Sequence, residues 1–372
     1  MQYDTAVIGA GLAGLHTARL LSLRGLRVVL IDRKRSLADG IHTTGIFVRK
    51  TWEDFPLPEE QLGRPIRDVT LYSPARRPMH LTAARDEFRI GRMSWIYLYL
   101  LEQCARTGVH FMPNTRFVEA RERSILVHRG TRCEEIGVRY VVGADGARSR
   151  VARAYGLDVN RELLTGIEDV VPGRAAKPEL RCYLDPRLAP GYIAWIADDG
   201  DEAHIGVAGY RERFDPLSAL ARFRNSIGEA SAHRIERRGG LIPVGGMLRR
   251  IANERALLIG DACGSVSPLT AGGLDPAIRL SSFAADVVAA WLDTGDRDAL
   301  RQYSGDLFRA RFVSRSWMRR IIRTIESPML MELACACLRM MPGIAAHVFF
   351  ARGSVLGPVD RGRLVRTFVR TS

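Results

Sequence analysis

Residues 4–14 read Asp-Thr-Ala-Val-Ile-Gly-Ala-Gly-Leu-Ala-Gly, and residues 27–32 read Arg-Val-Val-Leu-Ile-Asp. The first apolar run predicts a short buried strand. Residues 12–24 predict a helix that ends at Gly25, and residues 27–31 a second buried strand closed by Asp32. A strand-helix-strand unit of this size means two parallel strands joined by a right-handed crossover. Gly9, Gly11 and Gly14 fall between strand and helix in the spacing G-x-G-x-x-G. The first glycine permits the tight turn, the second lets the backbone approach a pyrophosphate, and the third lets helix and strand pack closely. The helix start offers free N–H groups and partial positive charge to the phosphates. Asp32 lies 18 residues after Gly14, where a carboxylate accepts hydrogen bonds from a ribose. The stretch predicts a dinucleotide site without deciding which dinucleotide.

Outward from this unit, residues 55–90 alternate in short runs such as Asp68–Tyr72 and suggest antiparallel strands. A helix is expected over 94–106, ended by Gly108, then strands over 109–118, 125–127 and 140–142. From about 160 to 250 proline and glycine recur between short strand-like runs (192–196, 203–209), with a helix near 216–227. Ala256–Ile259 is again a buried strand, followed by Gly-Asp and a long helix over 275–292; beyond 300 the chain reads as mostly helical. A chain of 372 residues exceeds what one core usually serves. The division expected is a discontinuous dinucleotide domain (1–60, 85–160, 250–300), an inserted β-rich substrate domain (61–84, 161–249) and a basic helical C-terminal region (301–372).

Apolar residues make up 47% and charged residues 26%, a globular composition that excludes disordered and fibrous classes. The net charge is +14, yet only Lys34, Lys50 and Lys177 are lysines. Residues 301–372 hold 13 arginines against 4 acids, so nine of the fourteen surplus charges lie there. So localised a surplus does not call for nucleic acid. The six cysteines form no C-x-x-C pair and no cluster at zinc spacing, so no metal is expected. A chain able to build a core without disulfides points to reduced thiols and the cytoplasm. No run approaches the ~20 apolar residues of a spanning helix.

Two further motifs narrow the class. Residues 143–151 read Gly-Ala-Asp-Gly-Ala-Arg-Ser-Arg-Val, and residues 256–264 read Ala-Leu-Leu-Ile-Gly-Asp-Ala-Cys-Gly, followed by Pro268, Gly272 and Gly273. With these the chain resembles the FAD-dependent family typified by para-hydroxybenzoate hydroxylase, closest in pattern to its geranylgeranyl reductases. The resemblance implies an α/β fold: a Rossmann-like FAD-binding domain (GR2-type), an inserted antiparallel β-sheet substrate domain and a helical C-terminus. It implies FAD held by Gly9, Gly11 and Gly14 at the pyrophosphate and by Asp32, with Arg33 beside it, at the adenosine ribose. Asp145 is the acid of the D-G segment, Asp261 would hold the ribityl hydroxyls, and Gly272 and Gly273 would face the flavin ring. Arg92 matches a family arginine that contacts the cofactor. Ala271 stands where relatives usually have glycine.

One glycine fingerprint leaves NAD(P)H as a transient visitor, or a separate reductase as electron donor. The segment Pro190-Gly-Tyr-Ile-Ala-Trp-Ile resembles the strand pair that lines the isoprenoid tunnel of geranylgeranyl reductases, through Tyr192 and Trp195. It implies reduction of C=C bonds in a long apolar substrate. The alternative is a monooxygenase acting on an aromatic or polyketide-like, carrier-bound substrate. The segment Asp39–Gly45 reaches the flavin face in the family, so His42 and Thr44 join the catalytic candidates, His42 as a tunable proton donor.

On a helix over 307–325, Arg309, Arg315, Arg319, Arg320 and Arg323 fall on one side and Trp317, Met318, Ile321 and Ile322 on the other. A nearly uncharged stretch, Ser327–Phe350, follows. Three readings stand: docking on a membrane surface as a peripheral protein, docking of an acidic carrier protein through 307–350, and a cap on the substrate domain with a solvated arginine face.

Overall fold

A computed structural model of the chain describes residues 2–309 and 312–350, without the side chain of Arg213. The N-terminal apolar run forms the strand Gln2–Ile8. Parallel to it lie Val28–Ile31 and the C-terminal half of Arg132–Gly143, with Val7 beside both Leu30 and Val142. His110–Met112 extends one side and Ala256–Leu258 the other, both parallel. Ser124–Arg129 and Thr115–Ala120 continue the sheet antiparallel from the other half of the long strand. Val28 to Ile31 are all buried, as expected of a parallel strand covered on both faces. The helices Leu12–Leu23, Met93–Arg106 and Leu274–Thr294 pack together over this sheet.

The second sheet also has seven strands. Their order is Glu236–Pro243, Leu163–Pro172, Glu202–Gly209, Ala194–Asp198, Glu179–Tyr183, Asp68–Tyr72 and Pro78–Thr82. Every pairing is antiparallel except Glu179–Tyr183 with Asp68–Tyr72. Strand alternation divides its residues between two faces. Val171, Ala194, Ile196, Ile205 and Val207 pack beneath the helix Pro216–Ser226, through Ala219, Leu220 and Phe223. Asp215 caps that helix, accepting from Ser218 N at 2.8 Å. The other parity places Leu164, Trp195, Ala208 and Ile242 in a separate cluster with Tyr192, Tyr210 and Ala271. This second face positions the site.

Two expectations shift. The strand expected from Tyr192 starts at Ala194, because Gly191 at φ +71° turns the chain first. The single helix expected over 307–325 is instead Gly305–Arg309 and Val313–Thr324, with 310–311 outside the described residues. Pro328–Met340 and Pro342–Phe350 follow, bent by 95°. The last part of the 301–372 region, residues 351–372, lies outside the described residues. All six cysteines are free thiols.

Candidate functional site

The glycine turn is built on contact distances. A Cβ on Gly9 would sit 2.3 Å from the Ala144 carbonyl oxygen, and one on Gly14 would sit 1.8 Å from the Gly9 carbonyl oxygen. Gly9 also holds φ +105°, which L side chains rarely adopt. Gly11 differs: a Cβ there meets nothing within 4 Å among the described residues. Helix Leu12–Leu23 starts just past it with no side-chain cap, so its first N–H groups are free for a ligand. Asp32 ties the next strand to this turn, accepting from Ala10 N at 2.6 Å and Lys34 N at 2.8 Å. Each oxygen keeps capacity for a further donor. Arg33, beside it, is exposed.

Two acids stand at the ends of neighbouring strands. Asp145 Oδ2 accepts from Arg150 N at 2.6 Å and Val151 N at 3.1 Å, capping the next helix. Its Oδ1 is buried with no partner among the described residues, and desolvation raises its pKa despite those bonds. Asp261 follows Gly260 at the end of Ala256–Leu258, and desolvation pushes its carboxyl up to about 6. The loop after it returns over the same ground: Ser267 N donates to the Gly272 carbonyl at 3.0 Å and Ala271 N to the Ser267 carbonyl at 2.9 Å. Ala271 holds φ +53° there. A Cβ on Gly273 would lie 3.6 Å from Asp261 Oδ1. An open glycine edge, an uncapped helix start and an orphaned buried carboxylate oxygen fit an extended FAD.

Facing this is a polar cluster that the sequence did not announce. Thr44 Oγ1 donates to Glu168 Oε2 at 2.5 Å. Glu168 Oε1 lies 3.2 Å from His204 Nδ1, and Glu202 stands 3.7 Å from Nε2. Glu168 and His204 are 3% and 1% exposed. Burial alone would raise Glu168, but bonds from His204 and Thr44, with the charges of His204 and Arg238, outweigh it and hold the carboxyl below its ordinary value. Burial would lower His204, but Glu168 and Glu202 outweigh it and raise the imidazole. Arg238 closes the cluster, donating to the Thr43 carbonyl at 3.2 Å. Glu168, His204 and Arg238 share the strand parity of Trp195. In sequence each is an isolated charge in a strand, and only cross-strand register brings them together.

The remaining predicted residues fall as follows. His42 Nδ1 donates to the Gly239 carbonyl at 2.7 Å, pinning the 39–45 loop to the second sheet. Desolvation lowers its pKa, aided by Lys34 and Arg33. Lys34 Nζ grips the same loop at the carbonyls of Asp39 and Gly40. Arg92 is ion-paired to Asp199 at 2.8 Å, Glu202 at 3.2 Å and Asp201 at 3.7 Å. It thereby ties the helix start to the second sheet, a role the family resemblance did not give it. Trp195 lies flat across its neighbour, since a Cβ on Gly206 would sit 2.2 Å from the indole. Cys263 is buried with its thiol pushed up to about 12 by desolvation; it is a filler.

The arginine face of the C-terminal helix is a correction. Arg315 and Arg319 turn inward, and the opposite stripe, Val313, Trp317 and Ile321, is at least half exposed. Met329, Leu330, Leu333 and Met340 on the next helix are exposed as well. The expected solvated arginine face is therefore split: Arg315 and Arg319 lie inside, while Arg309, Arg320 and Arg323 stay exposed. The helix docks through Arg315 Nη1 to Ser267 Oγ at 3.2 Å, on the loop that carries Gly272.

Two families match the chain. FAD dependent oxidoreductases match residues 4–77, which contain the glycine turn, and the FAD binding domain matches residues 96–316, which contain both acidic turns. The class is thereby FAD-dependent oxidoreductase. The chain is 30% identical over 346 residues to digeranylgeranylglycerophospholipid reductase 2 of Methanothermobacter thermautotrophicus, covering 88% of this chain and 86% of that protein. Digeranylgeranylglycerophospholipid reductase of Methanocaldococcus jannaschii is 23% identical with 94% of each chain covered. The chain belongs to the geranylgeranyl-reductase type of FAD-dependent oxidoreductase. Among solved structures, a geranylgeranyl bacteriochlorophyll reductase-like protein of Thermoplasma acidophilum matches with TM-score 0.80 at 18% identity, over 89% of this chain and 90% of that one. The p-nitrophenol 4-monooxygenase of Pseudomonas putida matches with TM-score 0.70 at 15% identity, over 95% and 98%. Both report the shared fold.

Proposed function

We propose that this protein reduces C=C bonds of a long apolar, isoprenoid-type substrate by hydride transfer. The observation that carries this reading is the near full-length relation to digeranylgeranylglycerophospholipid reductases. It is supported by an aromatic and aliphatic sheet face, Leu164, Tyr192, Trp195 and Ile242, that meets the Ala271 loop. In this reading Asp32 accepts from the adenosine ribose, the helix start after Gly11 receives the pyrophosphate, and Asp145 and Asp261 accept from hydroxyls nearer the ring. Bound FAD supplies the hydride, refilled by NAD(P)H or a separate reductase.

Saturating a double bond also needs a proton on the second carbon. Thr44 Oγ1 donates to Glu168, whose other carboxylate oxygen meets His204 Nδ1 at 3.2 Å, and Glu202 stands 3.7 Å from Nε2, an ion-pair distance rather than a hydrogen bond. His204, whose pKa is raised, holds the proton; it passes to Glu168 and from Glu168 to the Thr44 oxygen as the Thr44 hydroxyl turns its own proton to the substrate carbon. The imidazole takes its proton back from solvent on the side of Glu202, whose part-exposed carboxylate stabilises the His204 charge. His42, with a lowered pKa and a bond to Gly239, holds the loop in place. Tyr192 and Trp195 bound the apolar side and exclude water. The outward stripe Val313, Trp317 and Ile321, with Met329, Leu330 and Leu333, rests on a lipid surface. No single helix among the described residues is long and apolar enough to cross a membrane.

The test is anaerobic reduction of the purified flavoprotein, then mixing separately with O2 and with polyprenyl lipids. Flavin reoxidation by lipid without O2, yielding a product two hydrogens heavier, supports the reductase. Reoxidation by O2 alone, with an oxygenated product, overturns it in favour of the monooxygenase.

A further inference from the structure

Helix Val313–Thr324 sets Arg315, Arg319 and Arg323 at four-residue spacing, so they share one face. Two of the three have partners. Arg315 donates to Ser267, and Arg323 stands 3.6 Å from Glu162. Arg319 lies between them and is 3% exposed. Its guanidinium carbon is 5.1 Å from the Tyr192 ring and 5.2 Å from the Tyr210 ring. None of its three nitrogens finds a hydrogen-bond partner among the described residues. Two other polar groups of the same aromatic cluster, the Trp195 Nε1–H and the Tyr210 hydroxyl, are also buried without partners.

A buried guanidinium without a counter-ion is costly, and ring faces offset only part of that cost. A fixed positive charge among unfilled donors is what an anion requires, and a planar guanidinium suits two oxygens of one phosphate. The surroundings narrow the occupant further. The apolar sheet face continues directly from Tyr192 and Tyr210 through Leu164 and Val244. A free inorganic anion has no use for that surface, whereas an amphiphile fills both parts.

We infer that Arg319, with the Trp195 indole N–H and the Tyr210 hydroxyl, binds the phosphate-type anionic headgroup of an amphiphilic substrate. This rests on the proposed reductase reading for the apolar tail, but the headgroup contact is independent of the chemistry performed. Helix Val313–Thr324 is then both a wall of the site and the element that selects anionic over neutral lipids.

The experiment is equilibrium dialysis of the full-length holoprotein against geranylgeranyl phosphate and geranylgeraniol, repeated with Arg319→Met and Arg319→Lys. Wild type is expected to prefer the phosphate at least ten-fold. Arg319→Met should abolish the preference, and Arg319→Lys should restore part of it. A phosphate preference that survives Arg319→Met overturns the proposal. Displacement of geranylgeranyl phosphate by equimolar inorganic phosphate would assign the site to free phosphate and overturn the headgroup assignment. Thermal melting guards against misfolding. Arg319→Met should melt no lower than wild type, because it removes an unpaired buried charge; a fall of several degrees would show that the guanidinium has an internal partner. Binding without any reduction of the lipid would sink the reductase reading and leave the headgroup site standing.

Discussion

Replacing Glu168 by glutamine keeps the shape of the buried cluster and removes its charge. The wild-type carboxylate accepts from Thr44 at 2.5 Å and faces His204 at 3.2 Å, with Arg238 at 4.0 Å. Breaking a buried ion pair by neutralising one partner costs roughly 3–5 kcal/mol. The amide oxygen of glutamine retains one neutral hydrogen bond, worth about 1 kcal/mol, which leaves a net loss of about 2–4 kcal/mol. At roughly 2.1 cal/mol/K of unfolding entropy per residue over 372 residues, each kcal/mol moves the Tm by about 1.3 °C. Glu168→Gln should therefore melt about 3–5 °C lower. The loss should depend on pH in a definite way. The Glu168 pKa is lowered on folding, so its contribution is complete above its ordinary 4.5 and disappears as pH falls through the folded value. The His204 pKa is raised, so its contribution is complete below 6.5 and disappears as pH rises through the folded value. The wild-type-minus-variant difference, followed by denaturant melts from pH 3 to pH 9, should plateau between about 4.5 and 6.5 and shrink on both sides. A difference below 1 kcal/mol at pH 5.5, or one flat across the range, would refute the ion-pair account of this cluster.

Gly11→Ala and Gly14→Ala separate cofactor binding from folding. The Gly11 Cβ meets open space, so apoprotein stability should stay within about 0.5 kcal/mol while FAD content after purification falls. Gly14→Ala puts a methyl 1.8 Å from a backbone oxygen and should yield insoluble protein; equal solubility of the two variants contradicts the contact argument. Asp261→Asn should also lose FAD. Because burial raises its carboxyl from 3.8 to about 6, the wild-type apoprotein loses stability as pH rises through that interval. The asparagine variant should then be the more stable apoprotein at pH 7, by about 2 kcal/mol after discounting for partial solvent access. Ala271→Gly relieves a left-handed alanine at φ +53°. It should gain about 0.5–1 kcal/mol, less whatever the looser unfolded chain costs, measured by urea unfolding.

The parallel sheet and its glycine turn were legible because every step there is local. Val28–Ile31 is uniformly apolar, the glycine spacing fixes a turn, and Asp32 closes the strand within one supersecondary unit. The cluster Thr44–Glu168–His204–Arg238 was not legible, because its members are 124 and 36 residues apart in successive contacts. What joins them is the pairing of Glu168 with Gly206 and Arg238 in adjacent strands, and pairing register is set by the whole sheet rather than by any stretch within it. The C-terminal helix failed for a different reason. A helical wheel gives two faces and cannot say which one is inside. The ordinary rule, apolar in and charged out, holds where the neighbouring surface is apolar. Here the neighbours are the rings of Tyr192 and Tyr210, which attract a guanidinium, and a hydroxyl on the loop carrying Gly272. The wall offered to the helix is thus electron-rich and donor-accepting, so Arg315 and Arg319 pack inward, Arg320 and Arg323 stay exposed, and the Trp317 stripe is left outside. That placement of Arg315 and Arg319 makes one helix serve two surfaces. Its inner row is charged where a substrate headgroup would lie, and its outer row is apolar where a lipid surface would meet it.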